Sequence, residues 1–418
     1  MHIVFVHRGM FPERIGGTYS YIYELGRRLT SKGHRVDVIA STRVSTVDTV
    51  TELEGMTVHG YVFRRVNPVY STLQHLHHTQ RIFRTIAADE PVDVLSVHDS
   101  QLGYRLVRSP LGRSVCQVPT FHAPLFLEFR LNTAWRVENE TSALKRAAMA
   151  LTEPPMEYWQ RRYERGILEA ADGIVVLSEF NRRNIGEYFP SVDLGKVKII
   201  PSGVDVDRFR PADDRAAVRR RLGLEPDAVH LLTVRNLSPR MGLENLVSAM
   251  PAILEKARGQ GATLRLTICG EGRLRPTLEG LMRDLGVGDS VTLAGRVTDD
   301  ELTAHYQSAD LFVLPTQAME GFGISTVEAL SVNVPVVGTP AGATPEILSG
   351  IDERLVTRDT STGAIAEAVA SWLDWRWEDE GSVRYRDEVL SRYTWGGVTD
   401  QVEAYYNERA RAFAGRSG

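Results

Sequence analysis

Six short apolar runs separated by longer helical stretches open the chain: HIVFVH (2–7), RVDVIA (35–40), DVLSVH (93–98), VPTFH (118–122), GIVVLS (173–178) and VKII (197–200). The rhythm then starts again with HLLTVR (230–235), LRLTICG (264–270), SVTLAG (290–295), DLFVLP (310–315) and VPVVG (334–338). Such alternation is the mark of parallel strands joined by crossover helices, and its restart predicts a second doubly wound α/β domain behind the first. Between the two lies PSGVDVDRFRPADD (201–214), rich in Pro, Gly and Asp and without apolar periodicity, which reads as a hinge. The length agrees, because 418 residues exceed the roughly 250 to 300 at which one core stops growing. We therefore expect one domain over 1–200, a second over 201–392, and a terminal helix over 393–418. In that last segment Trp395, Val398, Val402, Tyr405 and Tyr406 fall at helical spacing and need a surface to cover.

Composition narrows the function. With 49 Lys plus Arg against 53 Asp plus Glu, the net charge of −4 provides no basic field for nucleic acid, which is excluded as a partner. The two cysteines, Cys116 and Cys269, lie far apart without metal-ligand spacing, and fit buried thiols in a reducing cytoplasm. No apolar run reaches the roughly 18 residues of a membrane span, and the first strand begins at once, so a soluble cytoplasmic protein without a leader is expected. One irregular stretch, 128–166, mixes aromatics with Arg and Lys. It reads as a helix from about Glu153 to Ala171 that packs Tyr158, Tyr163 and Leu168 on the core with Arg outward. A basic amphipathic contact with an anionic membrane is the alternative.

In open α/β sheets ligands bind beyond the carboxyl ends of the strands, so residues just after strands carry the chemistry. After the first strand, Gly16 and Gly17 open a helix over about Thr18 to Thr30, either as a plain tight turn or as a backbone surface for a phosphate or sugar. The pattern is not GxGxxG, and Asp37 lies inside the second strand, which disfavours a nicotinamide oxidoreductase. The sharpest element is MEGFGISTVEALS. There the backbone of Gly321, Phe322 and Gly323 can press on a ligand, and the amides of Gly323, Ile324 and Ser325 face a diphosphate. Glu328 suits a ribose diol and Glu320 the sugar hydroxyls, since carboxylates accept paired hydroxyl bonds. Two surface glutamates flanking a Gly-rich cap would share the spacing. His122 and His98 both follow strands, where His122 could serve the reacting region and His98 an acceptor. His75, His77 and His78 fall on what reads as a surface helix and are assigned no chemistry.

Taken in order, these elements resemble glycosyltransferase family 4, the retaining nucleotide-sugar transferases of the GT-B fold. The resemblance rests on the Gly16–Gly17 loop, VPTFHAP, LSEFNRRNI, PSGVDVDRF, GEG at 270–272, DDELTAHYQSADLFVLPT, and the paired glutamates followed by PVVGTPAGATPEIL. It implies two Rossmann-like domains facing a cleft, the first binding the acceptor, the second the nucleotide diphosphate sugar, and a C-terminal helix crossing back to the first. It also places His122 near the donor sugar, with His98 and Tyr19 on the side of a small-molecule or glycan acceptor, and it implies no cofactor. In similar sequences an arginine and a lysine after the first strand of the second domain grip the phosphates. Here the segment is VRNLSPRMG, which puts Asn236 and Met241 in those places and leaves Arg235 and Arg240 one residue out of register. Either arginine can reach a phosphate. We accordingly expect His122, Glu320, Arg240 and Arg235 in catalysis. Asp205 and Asp207 form a DxD-like string, but they sit in the hinge motif without further carboxylates to complete an oxygen cage, so no metal is expected. The competing readings are a non-catalytic sugar-nucleotide or glycan-binding protein, and a GT-B epimerase or hydrolase.

Overall fold

The computed structural model describes every residue except 14, 15, 43, 44, 46, 64–67, 141, 380–383 and 418. The chain divides into two units, Met1–Gly203 with Trp395–Gly418, and Val204–Thr394.

In the first unit the sheet order is β3 (Thr49–Leu53), β4 (Met56–Val62), β2 (Arg35–Thr42), β1 (His2–His7), β5 (Val94–Val97), β6 (Cys116–Gln117). A three-stranded parallel sheet holds β7 (Thr120–Phe121), β8 (Ile174–Val176) and β9 (Val197–Ile199). All of β1 is buried, as a parallel strand covered on both faces requires. On one face Val4 and Val6 pack with Leu95, Leu102 and Leu106. The order turns back between β1 and β5, so the ends of those strands form a switch point where α/β folds place ligands.

The sheet is not wholly parallel: β3 and β4 form an antiparallel hairpin. Its two-residue turn has Glu54 at φ 50° and Gly55 at φ 80°, the left-handed pair that a tight hairpin needs. The helix expected over about Glu153 to Ala171 also departs from expectation. It runs from Ala143 to Ala170, ten residues earlier than the expected start, with Pro154 and Pro155 inside it. Leu168 is buried, but Tyr158 is 61% exposed, which overturns its assignment to the core. Steps of five residues turn a helix by about 140°, so Tyr158, Tyr163 and Leu168 cannot share one face. His75, in the helix Pro68–Asp89, is likewise buried rather than on the surface: its Nδ1 lies 2.6 Å from the Tyr61 hydroxyl and its ring stacks on Phe63.

The terminal helix Trp395–Ser417 buries Trp395, Val398, Val402, Tyr405 and Tyr406, and packs on the helix Gly17–Ser31 and on β6. Lys32 pairs with Asp400 and Glu403 beside it.

In the second unit the strands are all parallel, in the order β12 (Val291–Gly295), β11 (Leu264–Cys269), β10 (Val229–Val234), β13 (Leu311–Leu314), β14 (Val336–Gly338). The order turns back between β10 and β13. Val204 N–H donates to the Tyr393 carbonyl at 2.8 Å, joining the unit's two ends. Both cysteines are buried, and burial pushes each thiol up to about 12. Among the described residues, no helix is long and apolar enough to cross a membrane.

Val402 is fully buried and Tyr158 is exposed. Val402→Ala should therefore lower the unfolding free energy by about 2 kcal/mol, whereas Tyr158→Ala should stay within about 0.5 kcal/mol. Denaturant titration of both variants measures this, and a larger loss for Tyr158→Ala would contradict the packing described.

Candidate active site

At the second unit's switch point two loops are stitched together. The loop after β10 carries Arg235, Asn236 and a short turn over Pro239–Met241, and the loop after β13 carries Thr316, Met319 and Glu320. Gln317 N–H donates to the Arg240 carbonyl at 2.9 Å, and Arg240 Nη1 donates to the Met319 carbonyl at 3.3 Å. Behind them the GEG segment braces the first loop, with Leu237 N–H donating to the Glu271 carbonyl at 2.9 Å. Arg235 is directed at Glu320 and Thr316, and Thr316 Oγ1 donates to Glu320 Oε2 at 3.1 Å. Burial pushes the Glu320 carboxyl up, but the charge and hydrogen bond of Arg235, with the charge of Arg240, outweigh it and hold the group below the ordinary carboxylate range.

Glu320 is held from the other side by the segment after β14. Ala343 N–H donates to the Glu320 carbonyl at 2.8 Å, and a Cβ on Gly342 would fall 2.1 Å from that same oxygen. Only a residue without a side chain fits there. Gly323, at φ 95°, then turns the chain into the helix Ile324–Ser331. Gly321 lies between Glu320 and this turn, and Phe322 packs edge-on against Tyr393. Ser325 Oγ is buried without a hydrogen-bond partner. Glu328 stands on the same helix and accepts from the Tyr306 hydroxyl at 2.7 Å. Burial dominates its environment and pushes the carboxyl up to about 7.

Of the two residues expected where similar sequences carry cations, Asn236 is exposed, while Met241 is 8% exposed and belongs to the core. Arg235 is engaged with Glu320, and Arg240 is half-buried on the turn. Asp205 accepts through Oδ1 from the amides of Asp207 at 3.2 Å and Arg208 at 3.1 Å, so it shapes the turn.

In the first unit, His7, His98 and His122 stand at the ends of β1, β5 and β7. His98 Nδ1 lies 3.0 Å from His122 Nε2, and His98 Nε2 lies 3.3 Å from Ser96 Oγ. Both ring nitrogens of His98 lie against protein groups, and the residue is 7% exposed. Burial, then the neighbouring His7, push His122 down to about 3, so its imidazole is neutral at pH 7. Burial, His122 and His7 lower His98 as well. Gly16 precedes the first helix, which begins at Gly17, and Tyr19 on that helix packs edge-on against His7 at 4.9 Å. A cavity of about 170 Å³ opens near the ends of β1 and β5, lined by Arg8, Gln101, Glu128, Asn132, Gln160 and Tyr163 among others. Arg8 is set by Asp99, whose carboxylate lies 2.5 Å from its Nε.

Two family models divide the chain between them: Glycosyltransferase Family 4 matches residues 15–208 and Glycosyl transferases group 1 matches residues 214–386. The chain belongs to glycosyltransferase family 4. Among relatives of this family member, a GDP-mannose-dependent alpha-(1-6)-phosphatidylinositol monomannoside mannosyltransferase of Mycobacterium tuberculosis is 36% identical over 219 residues. That match takes in 50% of this chain and 54% of the relative, so it spans about half of the relative's length. A D-inositol 3-phosphate glycosyltransferase of Geodermatophilus obscurus is 28% identical over 424 residues, 96% of this chain and 87% of that protein. Of solved structures, sucrose-phosphate synthase from Thermosynechococcus elongatus has a TM-score of 0.78 at 20% identity, covering 98% of this chain and 99% of that one. Anabaena HepE in complex with UDP and glucose has a TM-score of 0.74 at 14% identity, covering 98% and 100%. At such identities the likeness is one of fold, and the fold of this family 4 chain is GT-B.

Several groups of the site were not singled out in the sequence: Thr316, Tyr306, Gly342, and the residues lining the first unit's cavity. Thr316 directly follows the run FVLP, so its place at a strand end was available. Tyr306 reads as an ordinary core aromatic of its helix.

The raised Glu328 group makes stability depend on pH. Its folded carboxyl holds a proton more firmly than the unfolded chain does, so its contribution is full below about 4.5 and is lost as pH rises through about 7. Glu328→Gln should remove that loss, making the variant on the order of 3 kcal/mol less pH-sensitive than the parent over this window. Denaturant titrations at several pH values measure the difference, and parallel profiles for parent and variant would contradict the buried, protonatable carboxyl.

Proposed function

We propose that this chain is a retaining, metal-independent glycosyltransferase that moves a sugar from a nucleotide diphosphate sugar to a hydroxyl acceptor. The observation that carries the reading is the pair of carboxylates at the second unit's switch point. Glu320 is held ionised in front of the glycine turn and Glu328 stands behind it, with helix-start amides between them. In this reading the amides and Arg240 hold the diphosphate, Glu328 takes the ribose hydroxyls once they replace Tyr306, and Glu320 orients the sugar. Arg235 has the role of keeping Glu320 charged and placed, while Asn236 and the Gly16–Gly17 turn offer further polar backbone and side-chain contacts to the donor.

The first unit supplies His122 at the reaction centre and the acceptor seat. Amide, carboxylate and phenol groups around the cavity at Arg8 and Gln101 suit an acceptor rich in hydroxyls, with Tyr19 near its rim on the first helix. As the sugar–phosphate bond breaks, negative charge grows on the diphosphate, and the departing phosphate takes the acceptor's proton on the same face. The relatives' names support a nucleotide-sugar donor, and solved neighbours hold UDP, ADP or sugar. The two buried thiols fit work in the cytoplasm.

The exposed Asn236 and buried Met241 favour a second reading, a protein that binds nucleotide sugars without turning them over. Turnover decides. Arg240→Ala should lower kcat by about a hundredfold with a smaller change in donor KM, because the charge it meets grows in the transition state. Arg240→Lys should recover part of the loss. Full turnover in Arg240→Ala would remove this arginine from the mechanism, and donor binding without turnover by the unaltered protein would establish the second reading.

A further inference from the structure

Four side chains drawn from three parts of the sequence form one line of hydrogen bonds inside the first unit. The Tyr406 hydroxyl, on the terminal helix, donates to Ser96 Oγ in β5 at 3.0 Å. Ser96 Oγ lies 3.3 Å from His98 Nε2, and His98 Nδ1 lies 3.0 Å from His122 Nε2. Tyr406 and Ser96 are fully buried. A serine in the otherwise apolar strand VLSV is costly to bury unless its hydroxyl is used. The backbone of His122 is pinned separately, where Asn181 Nδ2 donates to its carbonyl at 2.9 Å. Tyr21 packs edge-on against the His122 ring.

The line has a direction. Tyr406 supplies the proton of the first bond while its oxygen also meets the Thr120 side chain, and Ser96 keeps its own proton for His98 Nε2. Burial keeps both imidazoles neutral at pH 7, and a neutral imidazole carries one N–H. The proton of His98 is then on Nδ1, where it is given to His122 Nε2. The single proton of His122 is left on Nδ1.

We propose that Tyr406, Ser96 and His98 are positioning residues that fix His122 as its Nδ1–H tautomer, so that it meets the ligand as a hydrogen-bond donor and not as a base. The tautomer stands on the geometry of the first unit; its consequence for catalysis rests on the reaction proposed above. With Nε2 already accepting from His98, His122 has no free lone pair for the acceptor's proton, and that proton goes to the departing phosphate. The last helix of the chain thereby sets the protonation of a group more than 280 positions earlier in the sequence.

The test is a long-range proton–nitrogen NMR spectrum of the full-length protein labelled with nitrogen-15 in histidine, without ligand, at about pH 7. His122 is assigned from the signals missing in His122→Gln. The expected result is an Nδ1-protonated, neutral His122 in the parent and a mixture with the Nε2–H form in Tyr406→Phe and Ser96→Ala. An Nε2–H His122 in the parent would overturn the proposal, as would a tautomer unchanged in both variants. In turnover assays the two variants should lose about tenfold in kcat with little change in KM. A shifted tautomer with unaltered kcat would leave the relay standing and remove His122 from the reaction.

Discussion

The buried ion pair between Arg235 and Glu320 is the contact on which the second unit's site depends. It joins the ends of β10 and β13, the two strands between which the sheet order turns back. A carboxylate this enclosed stays ionised only beside a partner charge, and the guanidinium together with Thr316 provides it. The loop around Gly342 closes on the Glu320 backbone from the β14 side, so the carboxylate is fixed in place as well as in charge. The position of the glycine turn at Gly323, and with it the start of the helix that carries Glu328, follows from that anchor.

The two glutamates differ because their surroundings differ. Glu320 has an arginine and is held down, whereas Glu328 has a neutral phenol from Tyr306 and burial pushes it up to about 7. One carboxylate is thus charged at neutral pH, and the other gains its full charge only when hydroxyl donors or a higher pH favour it. The first unit works by the opposite means. Burial and neighbouring histidines lower His98 and His122, so their imidazoles are neutral groups whose hydrogen bonds, not charges, do the positioning.

Much of this architecture was legible in the sequence because burial on both faces leaves continuous apolar runs, as in HIVFVH and DLFVLP, and because strand ends in such sheets mark where ligands go. The hairpin of β3 and β4 was missed although TVTEL and MTVHGYV alternate, because Glu54-Gly55 is not one of the usual turn pairs. Tyr158 was misplaced because aromatic content stood in for helical angle. The engagement of Arg235 with Glu320 could not be read at all: the residues are 85 positions apart, and nothing local to VRNLSPRMG says which arginine turns toward the carboxylate and which stays on the turn. The same holds for Tyr406 and Ser96, separated by 310 positions.

The central claim is sugar transfer with retention and without a metal. The most direct measurement is proton NMR of the glycoside formed from an α-linked nucleotide sugar and a panel of hydroxyl acceptors, in the presence of EDTA. The account predicts a product whose anomeric proton keeps the configuration of the donor, formed at the rate seen without chelator. A product of inverted configuration, or activity lost to EDTA and restored by Mg²⁺ or Mn²⁺, would contradict it.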